Sequence, residues 1–173
     1  RWSWLAVLVV SAAAFCAVFA TSEVSAAEKP PEVVAAIQRG LSFIKGRQLQ
    51  GYEAGLATYA AISAGEKPDS EFVQKNVAII LQRFTANSYS SPQRHIYGAA
   101  VDAMGLTAAN RELYLPQIQM IADYIMKDQR DNGAWDYAGQ NHGGDTSISQ
   151  YGSLGLWAAA RAGVQIPPKV WDR

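Results

Sequence analysis

Glu71-Phe72-Val73-Gln74-Lys75-Asn76-Val77-Ala78-Ile79-Ile80-Leu81-Gln82-Arg83-Phe84 places Val73, Val77, Ile80, Leu81 and Phe84 at intervals of three and four. That spacing lays one apolar stripe along a helix, and the residues between are mostly polar. Upstream, Pro31 to Gln48 repeats the pattern with Val34, Ile37, Leu41 and Ile44; downstream, Leu115 to Gln129 does so with Ile118, Ile121, Ala122 and Ile125. Ile37, Val77 and Ile118 then fall about 40 residues apart, as do Leu41, Leu81 and Ala122, and the period of a helix-pair repeat follows.

A second kind of segment lies between these helices. Ala54 to Ile62, Tyr97 to Met104 and Tyr151 to Ala160 are rich in Gly and Ala on most faces, which predicts helices packed closely on several sides. The expectation is an all-α chain of antiparallel helix pairs, with long amphipathic helices in an outer layer and small-residue helices in an inner one. Breakers at 64–68 and 162–163 separate them. No stretch alternates with period two, so no half-buried strand is expected. Periodicity leaves open whether the pairs form an open array or a closed ring.

The 173 residues are 49% apolar and 17% charged, an ordinary globular balance. Fifteen basic residues match fifteen acidic ones, and no basic run could neutralise a phosphate backbone; nucleic acid is not an expected partner. Arg1 followed by the apolar run Leu5 to Ala20 and by Val24-Ser25-Ala26 reads as an export signal over residues 1–26, cut before Ala27 or, earlier, after Ala20. A retained membrane anchor is the alternative. Cys16 is the only cysteine, and Phe15 before it does not suit a lipoprotein signal. The mature chain, 27–173, would therefore carry no thiol. With Arg1 at its start and Trp171-Asp172-Arg173 ending a segment just begun after Pro167-Pro168, the sequence reads as an incomplete gene product.

At the end of the third long helix, Lys127-Asp128-Gln129-Arg130-Asp131-Asn132-Gly133-Ala134-Trp135-Asp136-Tyr137 contains Gln-x-x-x-Gly-x-Trp at Gln129, Gly133 and Trp135. This resembles the QW motif of squalene and oxidosqualene cyclases, and Gln48-Leu49-Gln50-Gly51-Tyr52 is a shortened version in the first repeat. Gly133 permits the positive φ that ends a helix, and Trp135 can fold back over Gln129, so the motif reads as structural. The resemblance, from about Pro31 to Arg173, extends to protein prenyltransferases. It implies part of an α/α toroid, in which about six helix pairs close around a cavity lined by the inner helices. Three pairs are counted here.

The resemblance also implies where chemistry would sit. The cyclases' proton donor is the middle Asp of an Asp-x-Asp-Asp-Thr motif, and the matching stretch here is His142-Gly143-Gly144-Asp145-Thr146. Gly144 replaces the donor and His142 the first acid. Asp145 remains as a lone catalytic candidate, with an N-cap as its alternative reading. The prenyltransferases' zinc needs Asp, Cys and His, and Ser147 stands where the thiolate would be. His142 and Asp145 are weak metal candidates against the reading of a solvated loop; no cofactor is expected. His95 reads as a turn or helix-entrance residue, and nothing resembles a nucleophile triad or a phosphate-cradling loop. Tyr59, Tyr97, Tyr151 and Trp157 fall on the inner segments, either as core or as the lining of a cavity for an apolar or sugar-like ligand.

The expected function is thus an exported, periplasmic or secreted, non-catalytic binding or scaffold protein. One alternative is a terpene cyclase or prenyltransferase-related enzyme whose catalytic residues lie in further C-terminal repeats; another is an open helical array that binds a protein partner.

Overall fold

The computed structural model describes residues 29–172. The chain divides into two units, 1–34 and 35–173. In the first, the described residues are the start of helix α1 (Pro31–Lys45), where the amides of Val33 and Val34 donate to the Pro30 carbonyl at 2.9 and 3.1 Å. The export signal read over residues 1–26 lies outside the described residues.

The second unit is helical: the rest of α1, then α2 (Glu53–Ser63), α3 (Glu71–Leu81), a 3-10 turn (Pro92–Arg94), α4 (Ile96–Asn110), α5 (Leu115–Lys127), α6 (Thr146–Ala162) and the short α7 (Pro168–Trp171). No strand occurs among the described residues; Phe84 and Tyr89 form one isolated antiparallel bridge. Three helix starts are capped by a side chain. The Ser70 hydroxyl accepts the Val73 amide at the head of α3, His95 Nδ1 accepts the Tyr97 amide at the head of α4, and the Asp145 carboxylate accepts the Ile148 amide at the head of α6.

The packing forms two layers. α4 is central, against α2 on one side and α6 on the other; α3 leans on α2 and α4, and α5 on α4 and α6. The small-residue helices are therefore one layer, and α3 and α5 the other. Leu106, Ile118, Ile121, Ile125, Ile148 and Leu156 are fully buried between the layers, each contributing about 1.5–3 kcal/mol. Within the small-residue layer backbones nearly touch. A Cβ at Gly105 would lie 2.8 Å from the Gly55 carbonyl oxygen, and one at Gly155 would lie 2.8 Å from Ala100 Cα. Neighbours in register, Tyr97 with Tyr151 and Ala100 with Gly155, show α4 and α6 running parallel.

The three long helices end earlier than their apolar pattern, at Lys45, Leu81 and Lys127 instead of Gln48, Phe84 and Gln129. The stripe of α1 is also less used than those of α3 and α5. Leu41 is buried, whereas Ile37 and Ile44 are only half-buried and Phe43 is 65% exposed.

Candidate functional site

The four aromatic residues singled out on the inner helices separate into two groups along the parallel helices. At the N-terminal ends of α2, α4 and α6 a cavity of about 380 Å³ is lined by Tyr52, Leu56, Gln93, His95, Tyr97 and Tyr151, with Val101 behind. Tyr97 meets Tyr151 edge-on at 4.4 Å between ring centroids, and the His95 ring stacks flat on Tyr97 at 4.9 Å. Tyr137 closes edge-on against His95 at 5.0 Å. Partial burial holds the His95 imidazole below its ordinary value, opposed by the nearby Asp128 carboxylate. Further along the same helices, Tyr59 and Trp157 line a second recess of about 200 Å³ with Met104, and the Arg161 guanidinium lies 4.7 Å over the Trp157 ring.

The loop between α5 and α6 holds the motif residues. Gly133 has φ 83°, the left-handed conformation that closes the turn after α5. Gln129 donates its amide to the Gly133 carbonyl and to the Val170 carbonyl of α7, both at 3.0 Å. Trp135 is 3% exposed, its indole N–H donates to the Ile125 carbonyl near the end of α5 at 2.8 Å, and its ring lies against Gly152 of α6. Its backbone carbonyl accepts the Asp145 amide at 2.8 Å. The tryptophan thus joins α5, the loop and α6.

Asp145 is the N-cap of α6. Its carboxylate takes the Ser147 hydroxyl and the Ile148 amide, at 3.0 Å for the latter, and these donors hold it below the usual carboxylate range. Such a group is kept as the anion and is a poor proton donor. Gly144, at the position the resemblance gives to the donor, has φ 118°, and a Cβ there would overlap the Ala134 side chain. The site excludes any larger residue in this backbone. His142 donates its amide to Asp136 at 2.8 Å; Asp136 is buried, held below its ordinary value by that amide, the Tyr137 amide and Arg130. Among the described residues no group of three or more His, Cys, Asp and Glu side chains is placed to hold a metal ion.

A buried polar network escaped the sequence reading. Asp102, fully buried in the middle of α4, accepts from the Arg83 guanidinium and from the Tyr89 hydroxyl, the latter at 2.7 Å. Arg83 donates also to the Gly51 carbonyl, so one cation ties the entrance of α2 to the end of α3 and to α4. Burial pushes the Asp102 carboxyl up to about 6, against the pull of Arg83 and Tyr89 in the other direction. The signal available was Asp102 itself, a lone acid within Gly98-Ala99-Ala100-Val101-Asp102-Ala103-Met104. An acid inside an apolar helix needs a buried donor.

No family model, no curated protein and no solved structure matches the chain.

Proposed function

We propose that the protein is a non-catalytic binding protein of the squalene-cyclase and prenyltransferase-like repeat type, exported from the cytoplasm, whose inner layer of helices holds an apolar or sugar-like ligand. In this reading the helix pairs form part of an α/α toroid. The observation that carries it is the cavity of about 380 Å³ walled by Tyr52, Tyr97 and Tyr151 on the small-residue layer, within the usual size of ligand sites. The acid that remains from the resembled motif speaks for binding without turnover. Asp145 is engaged as a helix cap, and Gly144 has no room for a carboxylate.

The test is incubation of the purified protein with squalene and, separately, with farnesyl diphosphate, zinc and a cysteine-bearing peptide. The expected result is recovery of both substrates unchanged, while Asp145→Asn folds and melts somewhat below wild type, because Asn still caps the helix but lacks the charge that the donors favour. Product that disappears in a folded Asp145→Asn variant would overturn the reading and make Asp145 catalytic.

A further inference from the structure

The cavity at the head of α2, α4 and α6 is not uniformly apolar, and one of its polar side chains, His95, is oriented by a backbone amide. His95 Nδ1 is occupied as acceptor of the Tyr97 amide at 3.3 Å. In the neutral ring the proton must then sit on Nε2, which leaves one N–H donor on an imidazole that lines the cavity. Gln93 is another polar residue of the lining, beside the tyrosines. It has φ 55°, the one non-glycine residue in the left-handed region among the described residues, and its side chain also lines the cavity. A glutamine held there is strained, and strain of this kind concentrates where a side chain must be aimed.

Around these donors stand rings and aliphatic surface. Tyr52 and Leu56, each 43% exposed, form the α2 wall, and Tyr97 and Tyr151 form the wall from α4 and α6. Among the described lining residues none is acidic or basic apart from the His95 imidazole, which is neutral in the tautomer described. The volume, about 380 Å³, is near the small end of ligand cavities, which suits a compact ring better than an extended polyprenyl chain. A wholly apolar occupant would also strip water from the half-buried His95 N–H and offer no acceptor in return.

Resting on the reading of this cavity as a ligand site, we infer that its occupant is a neutral pyranose-type carbohydrate. The C–H face of the sugar packs on the tyrosine wall, and hydroxyls at its rim meet the His95 N–H and the Gln93 amide. Aromatic surface beside a few polar groups matches the two-sided character of a pyranose.

Saturation-transfer NMR on the purified protein with methyl glucopyranoside, methyl mannopyranoside and N-acetylglucosamine, and in parallel with farnesol, tests this. At least one pyranoside is expected to bind, and two variants to weaken it roughly tenfold or more. Gln93→Gly removes the amide and relieves the backbone, so it folds at least as well as wild type. His95→Ser keeps a capping oxygen for α4 while removing the ring. Farnesol binding with no pyranoside binding overturns the carbohydrate inference and leaves the ligand site standing. Pyranoside binding unchanged in Gln93→Gly and His95→Ser overturns it by placing the sugar elsewhere. Binding of neither class overturns both the inference and the function on which it rests.

Discussion

Trp135 is attached through its indole N–H to the Ile125 carbonyl, its ring to Gly152, its amide to the Ser149 hydroxyl and its carbonyl to the Asp145 amide and the Ser149 hydroxyl. Only the first two depend on the side chain. Trp135→Ala is therefore expected to cost about 3–5 kcal/mol, since it opens a cavity beside Gly152 and removes one of the two donors to the Ile125 carbonyl, leaving the Asp128 amide. Trp135→Phe keeps most of the packing and is expected to cost about 1–3 kcal/mol. Urea unfolding of both variants checks the order, and a melting curve unchanged in Trp135→Ala would show that the ring carries no weight. Gly133 was legible because a glycine after an apolar helical stripe announces a helix end closed in the left-handed conformation. That the ring would rest on α6, and Gln129 reach α7, was not. Those contacts join residues 17 and 41 positions apart, and no local pattern records which helix will lie beside the loop.

At the scale of the helices, the contrast between two glycines separates conformational cost from close packing. Gly40 lies within α1 with open space around the position of a Cβ, so Gly40→Ala is expected to stabilise by about 0.5–1 kcal/mol through helix propensity alone. Gly105 lies within α4 where a Cβ would press on the Gly55 carbonyl oxygen at 2.8 Å and approach Thr58 Cβ at 3.4 Å. Gly105→Ala is expected to destabilise by about 1–3 kcal/mol despite the same gain in propensity, because α2 and α4 must move apart. Thermal melts followed by circular dichroism check the two signs; a stabilised Gly105→Ala would mean that the helices part without cost. The close packing of α2, α4 and α6 was readable because small residues on several faces have few other uses. Helix ends were less so. Phe84 continues the apolar stripe of α3, yet it lies beyond the helix, where its ring meets Tyr89 at 4.9 Å between centroids. Periodicity marks which residues face the core, and it does not mark where the backbone leaves the helix. The stripe of α1 makes the same point, since amphipathic spacing there did not determine how much of the face is covered.

Over the whole molecule the formal charge at pH 7 is zero, so near neutrality net repulsion is small and individual groups shape the response to pH. Glu66, Asp136 and Asp145 are held below the ordinary carboxylate value by donors, and the stability they contribute is present above that value and is lost as pH falls through their folded-state values. His95, lowered by burial, likewise favours the folded state at higher pH. Asp102 acts in the opposite sense. Its carboxyl is raised from 3.8 to about 6, so the folded state holds the proton more firmly than the unfolded chain does. The stability from this group is complete below about pH 4 and is lost as pH rises through about 6. A shift of about two units corresponds to on the order of 3 kcal/mol. Because the other groups oppose it in parts of the same range, the effect is read as a difference between wild type and Asp102→Asn, in which His95 and the surface carboxylates are common to both. The amide of the variant cannot ionise, so the variant lacks this one dependence on pH and keeps the rest. The unfolding free energy of the wild type minus that of the variant, measured in urea from pH 4 to pH 7.5, is expected to fall by on the order of 3 kcal/mol as Asp102 ionises in the wild type. Curves that stay parallel across pH 5–7 would mean that Arg83 and Tyr89 fully offset the burial of the carboxylate, leaving the network without a titrating member in that range.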